Sequence, residues 1–547
     1  MSSASQVDKK PIESKRELVE WFEKGCTPAD KLLIGVEHEK PPFYLDNNAP
    51  VPFLSVAQAV ADKMTAAKHS NADVEQIHND LIREECLASG DASRAIMREA
   101  MDAASGQQSQ EQRVRKGISD FIAKMTAERG WYPGEPENGK VVDMHKPNGV
   151  NWTFEPGLQM ETGGAPLKNV HQSAKETDET ITEAVAVAKE LGIGILAQGF
   201  HPTHMSKDLP FMPKTRYEGL FNWFKAKQFP NAADVASCTS TVQVNMGYQS
   251  EDDMVKMLRV SLSLQPVAVA LFANSPFSEG KLTGYQSYRS HKLYNNMGGR
   301  YGFMLPVAFE EGFGFEKFAD YAMKTMPMLG IYKGNVFIDA KGGKFEDFME
   351  GNLGICPGQK ATISDWQNHL NTIWPEVRLR RFLEMRGTDN GPQEMIKALP
   401  AFWVGLLYDK QSLDAAYDMV KDWTNQDRDY LRVMTPQHGL QTPFMNTTVQ
   451  EMAKNCLALS EAGLKRRGIQ NENGQDERIY LEPLHEIATS GRNWAMRLEE
   501  RFRNEWKGDI GHLFREMSYE ANPSVLRAPA PVQAQKKIYI PGAKNGG

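Results

Sequence analysis

Cysteine is scarce in this chain of 547 residues: five in all, Cys26, Cys86, Cys238, Cys356 and Cys456, far apart and with no CxxC pair. An odd, scattered set argues against a disulfide framework and fits a reducing compartment. No run of 18 or more apolar residues occurs, and the opening MSSASQVDKKPIESKRELVEWF has no apolar stretch of the secretory kind. The expectation is a chain that is neither exported nor membrane-spanning, with the cytoplasm as its place. Positive charge is not in excess, since 63 Lys and Arg face 70 Asp and Glu for a net charge of -7, and no basic stripe stands out. A general nucleic-acid binder is thereby disfavoured. GxxxxGK[ST] is missing, and no GxGxxG follows a strand, so a bound nucleotide would not sit in a P-loop or Rossmann manner.

What is present is an ordinary globular composition, 41% hydrophobic and 24% charged with ten Trp, enough for a large core in two or more domains or one large domain with insertions. SKRELVEWFEKG reads as a helix and LLIGVEHEK as a strand, in which Glu37 and Glu39, two apart, share a face. From about 54 to 115 the composition turns to Ala, Glu, Gln, Asp and Met, and Val74, Ile77 and Leu81 give part of a helical stripe, which reads as a solvated helical insertion. VNWTFEPG is strand-like and runs into FEPGLQMETGG, where Glu155 and Glu161 stand among apolar residues and glycines. Ile181, Val185, Ala188 and Leu191 recur at helical spacing up to Gly192, and STVQVNMGY alternates, with Thr241, Gln243 and Asn245 on its polar face. Ser250 and Asp253 open the helix EDDMVKMLRVSLSLQP. VRLRRFLEMRG alternates again, setting Phe382, Glu384 and Arg386 on one face, before a helical final third and the Pro, Ala and Lys rich end. Short alternating strands and helices in irregular order favour α+β over a doubly wound parallel sheet.

Glu37, Glu39, Glu155, Glu161 and Glu384 are five carboxylates able to meet in one cavity. Buried carboxylates repel one another and lose hydration, so their convergence requires cations among them; oxygen-only donors select a hard cation such as Mg2+, which bridges carboxylates to phosphates. Spacing alone leaves the alternative open that each is a solvated or salt-bridged strand residue. Arg216 in MPKTRYEG, Arg289 in SYRSHK and Arg386 in LEMRG could hold a carboxylate or phosphate in their planar forks, although each alone also suits a surface ion pair. HPTH, with His201 and His204, has no further ligands nearby and reads as structural.

Taken together, IGVEHEK, FEPGLQMETGGAPLKNVHQ, FMPKTRY, TVQVNM, LSLQPVAVALFANSPFSEGK, SYRSH, WPEVRLRRFLEMRGTDNGP and ALPAFWVGLLYD resemble, in order and over most of residues 15 to 470, the plant and proteobacterial type of glutamate-cysteine ligase. The resemblance implies a glutamine-synthetase-like antiparallel sheet forming the active-site cavity, surrounded by helices. One large catalytic domain over 1–520 is expected, interrupted by the insertion at about 54–115, which has no counterpart in the family's usual pattern, and the Pro, Ala and Lys rich composition of 521–547 reads as a flexible tail. By the same resemblance ATP is co-substrate and Mg2+ cofactor, and glutamate and cysteine are joined through γ-glutamyl phosphate, the first step toward glutathione. Glu37, Glu39, Glu155, Glu161 and Glu384 become metal ligands, Glu39 and Arg386 catalytic, Arg386 on phosphate. Arg289 faces an amino-acid carboxylate, and Gln243, Asn245 and Arg216 line the substrate pocket. Small molecules are the expected partners, with no nucleic acid or membrane; a homo-oligomer is compatible with all of this. The chain departs from the family's usual EPGGQFELSGAP at Leu158 and at Thr162-Gly163, has Cys238 where an arginine is usual, and reads EHEKPPF for EHEKFGF. The altered EPGLQMETGG loop keeps open a γ-glutamyl ligase for another amine, and the 54–115 insertion, as a contact surface, keeps open a non-catalytic regulatory or assembly protein on the same scaffold.

Overall fold

A computed structural model describes residues 10–55, 115–229, 231–294, 296–333 and 336–521. The expected insertion, apart from its two ends, and the expected tail, apart from its first residue, fall outside them.

Eight strands form one sheet: β1 (Ile34–Lys40), β2 (Tyr132–Pro133), β3 (Met144–His145), β4 (Asn151–Phe154), β5 (Met160–Gly163), β6 (Thr241–Met246), β7 (Val377–Leu379) and β8 (Leu383–Asp389). Their spatial order is β7-β8-β6-β1-β5-β4-β3-β2, and every pairing is antiparallel. The register places Glu39 opposite Glu161, Glu37 opposite Gln243, and Glu384 opposite both Asn245 and Arg378. With a side-chain period of two, these polar residues share one face, and Val36, Val242, Val244, Leu383 and Met385 form the other, buried in the core.

Behind the sheet pack helices α1 (Val170–Glu190), α2 (Glu251–Phe272), α3 (Gln393–Leu407), α4 (Lys410–Val420), α5 (Asn425–His438) and α6 (Val449–Arg467). α2 lies along β8 and receives α4 and α5, while α3 lies between α1 and α6. Caps explain several starts: Asn169, Ser250 and Thr424 accept from the amides of Gln172, Asp253 and Asp427. Among the described residues α2 is long and apolar enough to cross a membrane, but 83% of its most apolar window is buried inside the molecule, as a core helix should be.

VRLRRFLEMRG is not one continuous strand: the chain reverses at Arg380–Phe382, so that Arg378 and Glu384 face each other as partners. β8 also carries a bulge, two residues (Arg386 and Gly387) being accommodated between the pairs Met385–Val244 and Thr388–Val242. Glycine is required at 387, where a Cβ would lie 2.5 Å from both Gln265 Nε2 and Glu376 Oε2.

Candidate active site

The polar face begins on β1. Glu39 is buried and accepts from the Thr241 amide at 2.9 Å, with Gln243 Nε2 at 3.5 Å. Burial first, then the charges of Glu161 and Glu155, push its carboxyl well above the ordinary range, against the pull of Arg289 and the Thr241 amide. Glu37, half-buried, accepts from Asn245 Nδ2 at 2.7 Å and is pushed up by burial and by Glu384. Across from Glu39, Glu161 accepts from Thr153 Oγ1 at 2.7 Å and is raised by burial and by Glu155. Glu155 follows β4 and accepts from the Tyr217 hydroxyl at 3.0 Å. Burial opposes its charge, but Arg216 and Lys214 outweigh burial and hold it below the ordinary value.

Glu384 is different. Arg378 grips both its oxygens, Nε at 2.7 Å and Nη2 at 2.9 Å, and Arg386 donates to one of them. Burial would raise this carboxyl, yet Arg378, Arg386 and Arg380 bring it down to about 2. The face therefore holds two environments: carboxylates with no basic partner on β1 and β5, and a carboxylate saturated with guanidinium on β8. Among the described residues neither Glu39 nor Glu161 forms an ion pair, and no three His, Cys, Asp or Glu side chains gather closely enough to hold a metal ion alone.

The donors toward the β1–β5 end suit a hard cation. The donors are all oxygen, and Gln243 Oε1, Asn245 Oδ1 and Thr241 Oγ1 are buried there without a hydrogen bond in the protein. Mg2+ characteristically takes one or two carboxylates and leaves its other positions to water and substrate phosphates, so a loose oxygen set fits it better than a closed cage would. Glu384, with both oxygens engaged, does not match the free-ligand role expected for it.

Arg289 also departs from expectation. It is 1% exposed, and both terminal nitrogens are bonded within the protein, Nη1 donating to the Gly387 carbonyl at 3.0 Å and Nη2 to the Arg386 carbonyl at 2.9 Å, with Asp389 at 3.7 Å, while Nε has no hydrogen bond among the described residues. It buttresses the bulge and does not present a free fork to a substrate carboxylate. Arg216 stacks over the Tyr217 ring at 4.6 Å and donates to its hydroxyl at 2.6 Å, beside Glu155. His201 accepts from the His204 amide at 3.1 Å, a turn-forming role, and its ring is brought down to about 3 by burial.

Four residues near the site were not singled out from sequence. Arg378 on β7 and Arg380 at the start of the reversal belong to a hairpin that the alternation concealed. Lys214, buried, donates to the Phe154 carbonyl at 3.2 Å and is lowered to about 8 by burial and by Arg216. Lys40, buried on the reverse face, contacts His38 Nδ1, donates to Thr162 Oγ1 at 3.4 Å and lies 5.0 Å over the Trp152 ring. The alternating EHEK pattern could have shown that a charged residue had to occupy the core side.

The chain is 37% identical over 506 residues to glutamate-cysteine ligase B, chloroplastic, of Oryza sativa subsp. japonica, covering 92% of this chain and 87% of that one. It is 36% identical to the chloroplastic glutamate-cysteine ligase of Arabidopsis thaliana, covering 92% and 83%. The chloroplastic enzyme of Nicotiana tabacum is 44% identical over 367 residues, 67% of this chain and 69% of that one. A solved glutamate-cysteine ligase of Francisella tularensis in complex with AMP aligns at TM-score 0.46 and 10% identity over 91% of this chain and 89% of that one. The plant names overturn the cytoplasmic expectation: these relatives are chloroplastic proteins. Scattered cysteines and the lack of a secretory stretch report on redox state and export, and an organelle interior that keeps thiols reduced satisfies both. The model of glutamate-cysteine ligase family 2 matches residues 33–516, and the chain belongs to that family.

Proposed function

We propose that this face binds ATP with Mg2+ and joins the γ-carboxylate of glutamate to the amine of cysteine through γ-glutamyl phosphate. The observation that supports it most is the cross-strand pair Glu39–Glu161, two buried acids directly opposite one another without a basic partner among the described residues. Such a pair destabilises an empty fold and is useful when a cation arrives.

Glu37, Glu39, Glu155 and Glu161 would hold the metal. Magnesium bound with the triphosphate neutralises charge on the transferring phosphoryl group. Arg386, aimed by Glu384 and partly open on this face, is assigned to the phosphate. In the first half-reaction a γ-carboxylate oxygen of glutamate attacks the γ-phosphorus and ADP leaves. In the second the amine nitrogen of cysteine attacks the acyl carbon, phosphate leaves, and the amine gives up a proton. Gln243 and Asn245 present amides to the substrate, and Arg216 sits beside Glu155 at the pocket's β4 side.

The departures from the usual family pattern offer little support for another acceptor. Leu158 is buried in the core, and Thr162 points to the reverse face, where Lys40 bonds it. Of the departures on the 154–164 loop, Gly163, opposite Glu37, falls on the acid face. The test is phosphate release from ATP with glutamate and a panel of amines. Release that depends on glutamate and is fastest with cysteine is expected; release without glutamate, or fastest with an amine lacking a carboxylate, overturns the reading.

A further inference from the structure

An arginine–tyrosine pair stands at each end of the polar face, and one of them is left open. On the β4 side Arg216 Nη2 donates to the Tyr217 hydroxyl at 2.6 Å, and that hydroxyl donates its own hydrogen to Glu155 at 3.0 Å. At the β8 end Arg386 Nη2 donates to the Tyr301 hydroxyl at 3.5 Å. A hydroxyl carries one hydrogen and two acceptor lone pairs, so a phenol that accepts from a guanidinium turns its own hydrogen elsewhere. Among the described residues nothing accepts the Tyr301 hydrogen. Other tyrosines of this fold do find an acceptor: Tyr248 donates to the Phe22 carbonyl at 3.0 Å, Tyr408 to the Leu33 carbonyl at 2.9 Å and Tyr519 to the Gly391 carbonyl at 2.7 Å.

The Tyr301 ring is held in place. Residues 300–303 run beside 374–376: the Trp374 amide donates to the Arg300 carbonyl at 3.1 Å, the Gly302 amide to the Trp374 carbonyl at 2.9 Å and the Glu376 amide to the Phe303 carbonyl at 3.0 Å. The buried Arg300 guanidinium anchors this strip, donating to the Thr372 carbonyl at 2.6 Å and to the Pro327 carbonyl. Half-buried, the Tyr301 ring stacks on Trp374 with centroids 5.3 Å apart and planes at 27°. The Glu376 carbonyl in turn accepts from the Arg386 amide at 3.1 Å, so the phenol and the guanidinium are tied to the same short stretch of chain. Donors fixed in this way need no reorganisation when charge develops in front of them.

We propose that Tyr301 is a further catalytic residue, donating its phenolic hydrogen to an oxygen of the phosphate that Arg386 holds; the inference rests on that assignment of Arg386. The two side chains divide the work. The guanidinium supplies charge, and the hydroxyl supplies a neutral donor whose bond strengthens as negative charge builds on the transferring group. The hydrogen stays on Tyr301 throughout. The bond that forms joins the γ-carboxylate oxygen of glutamate to phosphorus, and the bond that breaks leaves its electron pair on ADP.

The test is Tyr301→Phe in the full chain, which keeps the ring and its stack on Trp374 and removes the hydroxyl alone. Urea unfolding, steady-state kinetics with each substrate varied in turn, and calorimetric titration with Mg2+ and a non-hydrolysable ATP analogue are compared with wild type. The unfolding midpoint should not move, and kcat/KM for ATP should fall by roughly tenfold to hundredfold, as for loss of one hydrogen bond to a charged group. The KM for cysteine should stay as it is. In an Arg386→Lys background the same change should still lower kcat/KM for ATP by about threefold or more; no further loss there would make Tyr301 an orienter of Arg386 and overturn direct donation. A wild type that binds the analogue while Tyr301→Phe keeps its kcat/KM for ATP overturns the role of Tyr301 alone. A defect confined to the KM for glutamate or cysteine, or one matched by a lower unfolding midpoint, overturns it as well. A wild type that does not bind the analogue overturns the reading of Arg386 and this inference with it.

Discussion

Replacing Glu39 with Gln should make the empty protein more stable and the enzyme inert. Glu39 and Glu161 are a cross-strand pair, for which Cβ atoms lie about 5 Å apart. Two unit charges at about 5 Å with an effective dielectric near 20 repel by about 3 kcal/mol. Opposing the relief is little, since the glutamine oxygen can still accept from the Thr241 amide that now donates to Glu39 at 2.9 Å. A gain of about 1 to 3 kcal/mol is expected, with turnover down by about 100-fold or more because a carboxylate of the proposed cation site is gone. The assay is urea unfolding of both proteins at pH 8 in EDTA, repeated with Mg2+ and a non-hydrolysable ATP analogue. In EDTA the variant should unfold at higher urea. With the ligands present the wild type should gain more and close the gap. A variant less stable than wild type in EDTA, or one retaining wild-type turnover, would refute the argument.

Gly387→Ala should cost about 1 to 3 kcal/mol, because its Cβ would meet Glu376 and Gln265 at 2.5 Å, and the urea midpoint will show it. Arg289→Ala should cost about 3 to 5 kcal/mol by stranding Asp389 in the core, again read by urea unfolding. A fully stable Arg289→Ala with only the KM for cysteine raised would restore a substrate role to it. Glu176, which accepts from the Ala165 amide at 3.1 Å, is raised by burial from 4.5 to about 7. Folding therefore favours its protonated form: its contribution is fully present below about 4.5 and lost as pH rises through about 7. Glu176→Gln should remove that loss, gaining up to about 3 kcal/mol over wild type at pH 8 and little at pH 4; a pH-independent difference would disprove the assignment.

The acid face was legible in the sequence because strand geometry is simple: residues two apart share a face, and Glu37, Glu39, Gln243 and Asn245 needed nothing more. Cross-strand register was not, since it depends on pairings hundreds of residues apart, and it alone brings Glu161 opposite Glu39. The clamp on Glu384 was hidden for another reason. Arg380-Arg381-Phe382 contains none of the Gly, Pro, Asn or Asp that mark a reversal, so β7 and β8 read as one strand and Arg378 was overlooked. The fork of Arg289 looks the same in sequence whether it awaits a substrate or two backbone carbonyls; only the bulge at Gly387 decides between them. Leu158 adopts a left-handed φ of 65° with its side chain in the core, which explains why glycine is usual in the resembling pattern and why leucine is tolerated where its burial offsets the strain.

Crossing the sheet from β5 through β1 and β6 to β8 covers three strand spacings, about 14 Å, and along that line the sign of the surface changes. Bare acids stand at one end, neutral amides in the middle, and at the other a carboxylate outnumbered by Arg378 and Arg386. Such a gradient works like a keyed slot: a molecule with a cationic end and an anionic end can lie along it one way round, and the reversed pose sets like charges together at both ends. Strand position then forecasts the kind of defect a lesion produces. Damage on β1 or β5 should show as altered metal dependence, and damage on β7 or β8 as weakened hold on an anion.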